Sequence, residues 1–258
     1  VTSAPEGAPI RQAAPPPSLP EDSPVPLDSI LIAEWVRDLL VTVSDTTPRS
    51  LQASLGPSEI GQRCDRRIAY RLAAAPIVNL SDPTKALVGI GTHGALADGL
   101  RRLDPTRYLV EHRVTYRGIT GSADLYDRYK HRLIDWKTTS PRRIVRYRTD
   151  GVPANYSTQL AIYAQGLIAE GLPVESTALV FIPRDGKLED IYAWSAAPDQ
   201  AVADEAIDRY LALDARVAAG AHPADFQPWP SALCPYCPNF APEAADLAVA
   251  CPGKKDAP

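Results

Sequence analysis

At 258 residues with a formal net charge of −4, the chain is long enough to bury one core with extensions and too acidic to coat nucleic acid indiscriminately, although a local basic surface remains open to it. No apolar run of about 18 residues marks a membrane span, and four cysteines are too few for a disulfide scaffold of this length, so a reducing cytoplasm is the expected setting. The N-terminus shows no charged region leading into an apolar stretch and does not read as a secretory signal.

Residues 1–26 are dominated by Pro, Ala, Ser and Gly without periodicity, which predicts a disordered Pro-rich leader. From Leu27 to Leu40 the positions of Ile30, Ile32, Trp35, Val36, Leu39 and Leu40 follow helical spacing after Asp28 or Ser29 as a cap. They predict an amphipathic helix on the outside of the core. A second helix is predicted from about Pro57 to Leu72, with Pro57 in the first turn, where a missing N–H costs nothing. It carries Cys64, Arg66, Arg67 and Arg71.

A third helix, from about Asp82 to Leu103, runs through Gly89, Gly91 and Gly94, each costing up to about 1 kcal/mol relative to Ala. Glycines around His93 predict a close approach of this helix to another element or to a ligand. Three strand-like segments follow, Tyr108 to Tyr116, Gly118 to Tyr126 and His131 to Lys137, separated by short polar turns that favour an antiparallel meander. A basic loop over Pro141–Arg148 leads to a helix from about Asn155 to Glu170 with the apolar stripe Leu160, Tyr163, Ala164, Leu167 and Ile168. Val174–Ile182 and Leu188–Trp194 read as two strands joined by a turn at Asp185-Gly186. Asp199–Ala219 closes the series as an amphipathic helix. After Gly220 the chain becomes Pro-rich and holds three of the four cysteines. The order of elements predicts an α/β fold with a central mixed sheet flanked by helices.

The chemistry centres on Asp124, Asp135 and Lys137. Side chains of a strand alternate, so Asp135 and Lys137 share a face. If Asp124 meets them across a hairpin, two carboxylates and an ammonium converge, and joint ionisation of the carboxylates calls for a cation. Magnesium and manganese favour such oxygen donors. Asp127 lies an odd number of residues from Asp124 and therefore on the opposite face.

The succession Gly91-Thr-His93, Gly121-Ser-Ala-Asp124, Asp135-Trp136-Lys137 and Gln159-Leu-Ala-Ile-Tyr163 resembles the PD-(D/E)XK nuclease superfamily, in particular its RecB-like exonuclease branch, over roughly residues 57–195. The resemblance implies a restriction-endonuclease-like core, a nuclease domain over residues 27–220, and Mg²⁺ or Mn²⁺ held by His93, Asp124, Asp135 and the Trp136 carbonyl. It implies catalytic roles for Asp124, Asp135 and Lys137, with Gln159 and Tyr163 positioning DNA or the lysine. One cysteine before the core and three after it resemble the CRISPR-associated iron–sulfur exonucleases. Residues 221–258 would then join Cys64 through Cys234, Cys237 and Cys251 around a [4Fe–4S] cluster, and a structural Zn²⁺ satisfies the same four thiolates. Thirteen residues separate Cys237 from Cys251, more than that family usually has.

Arg142, Arg143, Arg146 and Arg148, interleaved with Tyr147, suit a DNA strand whose phosphates meet cations and whose bases meet an aromatic ring. The function implied is metal-dependent hydrolysis of DNA, as an exonuclease on single strands or ends, in a bacterial or phage-infected cell. Two alternatives share the fold: a catalytically inert DNA-binding or assembly subunit, and a nuclease active only in a complex with a helicase or integrase-type partner.

Overall fold

The computed structural model describes residues 27–46, 55–80, 82–229, 231 and 233–253, so the leader expected over 1–26 lies outside the described residues. The chain divides into two units, Val1–Val43 and Ser44–Pro258. The first holds most of helix α1 (Leu27–Asp45), which forms where the apolar spacing predicts it and exposes Leu31, Ile32, Trp35 and Leu39. Among the described residues no helix is long and apolar enough to cross a membrane.

The second unit is built on one sheet in the order β1 (Tyr108–Tyr116), β2 (Ile119–Asp127), β3 (Arg132–Thr139), β4 (Ser176–Pro183) and β5 (Tyr192–Ala196). β1, β2 and β3 form the antiparallel meander, β4 lies parallel to β3, and β5 returns antiparallel on β4. Arg117 (φ 48°) and Gly118 (φ 83°) link the paired Tyr116 and Ile119. Two consecutive left-handed residues match the twist of such a hairpin. The parallel step from β3 to β4 requires a crossover, supplied by α5 (Pro141–Asp150) and α6 (Ala154–Ala169).

Helix α6 is the centre of the unit. It is buried without a break from Thr158 to Leu167. Leu160, Tyr163, Ala164 and Leu167 pack in one core with sheet residues, while Ala161 and Ile162 join a second core with α3 (Asp65–Leu72) and α7 (Gln200–Ala218). A single apolar stripe is therefore an incomplete reading of α6, because two layers cover it. Ile168, at the end of that stripe, is exposed.

Three other expectations are corrected. The helix expected over residues 57–72 is two helices, α2 (Pro57–Ile60) and α3. They part at Gly61, where a Cβ would lie 2.8 Å from the Asn155 carbonyl oxygen on α6. The basic loop is helix α5, started by Pro141 after an extended Ser140, with Ile144 buried and Tyr147 packed into the sheet core one turn on. Leu188 lies in a short 3-10 turn, and β5 begins only at Tyr192. Helix α4 (Thr84–Leu103) runs as expected. Its Gly89 would set a Cβ 3.1 Å from Thr138 Oγ1 of β3, whereas Gly91 and Gly94 face open space.

Among the described residues beyond α7 there are only 3-10 turns at Pro223–Asp225 and Cys234–Tyr236 and a bridge between Phe240 and Cys251. Hydrogen bonds tie it to the α3–α4 region. Asn79 Nδ2 donates to the carbonyls of Pro235 (2.8 Å) and Cys237 (2.9 Å), the Tyr70 hydroxyl to Leu247 (2.7 Å), and Asn239 Nδ2 to Pro76 (3.0 Å).

Candidate active site

The β2–β3 ladder consists of Leu125↔Ile134, Tyr126↔Leu133 and Asp127↔Arg132. The next pair in this register would set Asp124 opposite Asp135 on one face of the sheet. There the ladder gives way, and Asp124 Oδ2 accepts the Trp136 N–H at 2.8 Å. Asp135 is fully buried. Lys137 Nζ forms an ion pair with its Oδ2 at 2.6 Å, and among the described residues its Oδ1 has no hydrogen-bond partner. Burial pushes the Asp135 carboxyl up to about 6, Lys137 pulling it back and Asp124 adding to the rise. A buried carboxylate in this state costs several kcal/mol unless a proton or cation neutralises it.

Helix α4 brings His93 Nδ1 to 3.5 Å from Asp124 Oδ2, and this partnership raises the imidazole pKa. β1 adds Glu111. Ligand atoms of His93, Glu111 and Asp124 all lie within 4.8 Å of one another. Burial, then Asp124, raises the Glu111 carboxyl, although much of the residue meets solvent. Its backbone takes φ 52° inside a strand, a conformation that costs a non-glycine residue of order 1–3 kcal/mol and persists where surrounding structure enforces it. The His93, Glu111 and Asp124 group, with the buried Asp135 carboxylate in register beside it and one of its oxygens unpartnered, fits a divalent cation such as Mg²⁺ or Mn²⁺.

Lys137 is held from the other side. Its Nζ donates to Gln159 Oε1 at 3.0 Å, and Gln159 Nε2 donates to the Tyr163 hydroxyl at 3.2 Å. Gln159 and Tyr163 are both buried one turn apart on α6, so they reach the lysine and not an open surface. The Tyr156 ring lies 5.1 Å from Lys137 Nζ. Gly121 explains the start of its motif: a Cβ there would meet Tyr163 Cε1 at 2.7 Å and Pro57 Cδ at 2.8 Å. Asp127 lies apart, clasped by Arg107 at 2.6 and 2.9 Å and capping the β2–β3 turn through the Tyr129 N–H.

The basic residues of α5 separate. Arg143 and Arg146 line a cleft beside the end of β3, and Tyr147 meets it while packing on Phe181 with ring centroids 4.7 Å apart. Arg142 is exposed but does not line that cleft. Arg148 covers the Tyr192 ring at 5.4 Å and donates to the carbonyls of Asp190 and Ile191.

The structure brings Cys64, Cys234, Cys237 and Cys251 to one cavity of about 400 Å³. Backbone N–H groups of Trp229, Ser231 and Gly253 approach the sulfurs of Cys64, Cys234 and Cys251 at 3.4 Å each. Burial raises the Cys237 thiol. Among the described residues no three of these sulfurs lie within 4.8 Å of one another. Arg66 stands beside the cavity, donating to the carbonyls of Phe226 and Ala224, with Nη1 4.0 Å from Cys251 Sγ.

No curated protein matches the chain. Among solved structures it is similar to a phage-related exonuclease from Haemophilus somnus 129PT, 13% identical, over 61% of this chain and 82% of that one, with a TM-score of 0.45. It is also similar to an alkaline exonuclease, LHK-Exo, from Laribacter hongkongensis, 14% identical, over 65% and 89%, with a TM-score of 0.46. The same enzyme in complex with dAMP aligns at 15% identity over 64% and 91%, with a TM-score of 0.37. The PD-(D/E)XK nuclease superfamily model matches residues 66–239, from α3 through Cys237 and including every carboxylate described above. The chain belongs to the PD-(D/E)XK nuclease superfamily.

Proposed function

We propose that this protein is a divalent-metal-dependent DNA nuclease, acting as an exonuclease on single strands or DNA ends. The observation that carries the reading is Asp135, fully buried, paired through one oxygen with Lys137 and with its other oxygen unpartnered, in register with Asp124 and beside a lysine fixed by Gln159. His93, Asp124, Asp135 and the Trp136 carbonyl are the ligands proposed for Mg²⁺ or Mn²⁺, with Glu111 beside His93 and Asp124 as a further carboxylate within reach of the ion. The ion would polarise the scissile phosphate and acidify water for attack. Lys137 orients that water and offsets the charge gathering on the phosphoryl oxygens. Gln159 and Tyr163 act through the lysine as positioning residues, keeping its Nζ aimed into the pocket. Asp124, taking the Trp136 N–H, fixes the β3 backbone beside the reacting group. A set this complete favours a working enzyme over an inert DNA-binding or assembly subunit.

End-labelled single-stranded DNA incubated with Mn²⁺ tests the reading. Degradation by the parent protein and its loss in Asp124→Ala and Lys137→Ala are expected. DNA bound but never shortened, alone or with co-purified helicase or integrase-type partners, returns the chain to the inert class.

The four cysteines are proposed to hold a [4Fe–4S] cluster. The convergence of all four cysteines on one cavity supports a metal centre there, and a structural Zn²⁺ would satisfy the same four thiolates. The N–H groups aimed at three sulfurs are the contacts that tune such a centre. Anaerobic purification followed by iron, sulfide and zinc analysis decides it: equimolar zinc without sulfide removes the cluster.

A further inference from the structure

A cleft of about 860 Å³ opens beside the end of β3, lined by Thr138 and Thr139, the residues that follow Lys137. Its charge is one-sided. Arg67, Lys85, Arg143, Arg146 and Arg184 line it against the single carboxylate of Asp150, in a chain whose formal net charge is −4. The five cations come from α3, α4, α5 and the turn after β4, so folding gathers them. Among the described residues none of the five takes part in an ion pair. Cations left without carboxylate partners along a groove form a field for a polyanion.

The cleft adjoins the cysteine cavity: Gln62, Arg67, Asn155 and Leu233 line both. From that side it receives Tyr236, the residue between Pro235 and Cys237, with 60% of its surface exposed. Tyr147 and Tyr156 also line the cleft, but both rings are committed to Phe181. Among the described residues the Tyr236 ring stacks on no ring and no cation. Its backbone is nonetheless fixed. The Tyr236 N–H donates to the Leu233 carbonyl at 2.9 Å, and Asn79 holds the carbonyls of Pro235 and Cys237 on either side. A free aromatic face on an anchored backbone, set in a basic groove, is the arrangement that stacks on an unpaired base.

We infer that Tyr236 stacks on a nucleobase of the substrate strand, presented by the Cys234–Cys237 turn, while Arg67, Lys85, Arg143, Arg146 and Arg184 hold the phosphates of that strand on its way to Lys137. The inference rests on the nuclease reading above and gives the cysteine turn a task at the substrate whichever metal it holds. The strand it fits is single, because a base offers both faces only when unpaired and unstacked.

The full-length chain carrying Lys137→Ala is the parent for the test, with fluorescence anisotropy on oligothymidylate and on an abasic strand of the same length. Tyr236→Ala is expected to weaken oligothymidylate binding about five- to a hundred-fold. Tyr236→Phe should match the parent, and the abasic strand should bind Tyr236→Ala no more weakly than it binds the parent. Arg143→Ala should lower the log–log salt slope by about 0.7. Equal weakening of both strands by Tyr236→Ala would mean a fold defect and overturns the stacking role. If the parent binds oligothymidylate and Tyr236→Ala binds it equally well, this inference alone falls. If the parent binds DNA in no form, the nuclease reading falls with it.

Discussion

The carboxylate pocket stands on regular structure, with Asp124 and Asp135 on neighbouring strands and His93 and Gln159 on helices of 20 and 16 residues. Three of the four cysteines stand instead in or just after one 3-10 turn and at a single bridge, stitched to the α3–α4 region by hydrogen bonds from Tyr70, Asn79 and Asn239. The difference lies in where the organising energy comes from. Ladders, helices and two apolar cores hold the pocket whether or not a cation is bound, so the fold can keep Asp135 fully buried with one oxygen unpartnered. The cysteine segment has little core of its own, and a metal at its thiolates would supply much of its cohesion.

Cys234→Ser should break this comparison most visibly if it breaks at all. A structural metal centre contributes about 10 kcal/mol or more in small domains, so loss of metal should free residues 221–253 to limited proteolysis and lower the melting temperature sharply. A variant that melts and resists protease like its parent would show the cysteine cavity to be as self-supporting as the sheet.

Lys137→Ala probes the other region. The sheet should stay folded, with an unchanged circular dichroism spectrum, while DNA cleavage falls about 10²- to 10³-fold, roughly 3 to 4 kcal/mol of barrier. A collapse in stability alongside activity would mean that the pocket is not held independently of its own charges.

Asp135 carries the next effect, and its sign is set by burial. Its folded pKa of about 6 exceeds the ordinary value of 3.8. Between about pH 4 and 6 the folded state therefore keeps a proton that the unfolded chain has released, and this group's contribution to stability falls as pH rises through that window. Calorimetry in EDTA should show metal-free Asp135→Asn gaining on the parent as pH rises from 4 to 7. Saturating Mn²⁺ should remove the parent's disadvantage, because the ion takes the place of the proton. Parallel pH curves for the two proteins would mean that Asp135 is already neutralised by Lys137.

Much of the pocket was legible because alternation along a strand is a local rule: Asp135 and Lys137 had to share a face, and the hairpin made Asp124 their neighbour. The second face of α6 was not legible, since the layer covering Ala161 and Ile162 comes from α3 and α7, far away in the chain. Helix α5 was hidden by its arginines, whose density suggested a loop although Ile144 and Tyr147 already lay one turn apart. Glu111 stood in the first strand of the series, but the left-handed conformation it takes there is imposed by the folded surroundings and not by its neighbours in sequence. The cleft was invisible for the same reason: its cations belong to separate elements. Tyr236 had one signal, its place inside the Cys-x-x-Cys turn.

Glycines in the two regions offer the finest comparison. A Cβ at Gly121 would press on Tyr163 Cε1 at 2.7 Å and on Pro57 Cδ at 2.8 Å; at Gly253 it would press on Phe240 Cε2 at 2.5 Å, with φ 72° adding backbone strain. By distance alone Gly253→Ala should be the worse substitution. The surroundings reverse that order. Tyr163 is wedged between sheet and helices and bears on Lys137 through Gln159, so Gly121→Ala should cost about 1 to 3 kcal/mol as an overpacked core does and lower kcat as the lysine shifts. Phe240 is only half-buried in an irregular segment, where ring and backbone can yield together, and Gly253→Ala should cost about 1 kcal/mol with kcat unchanged. Thermal melts and single-turnover cleavage of both variants measure the ordering; a larger loss at Gly253 would make the cysteine segment the stiffer of the two regions and turn the comparison around.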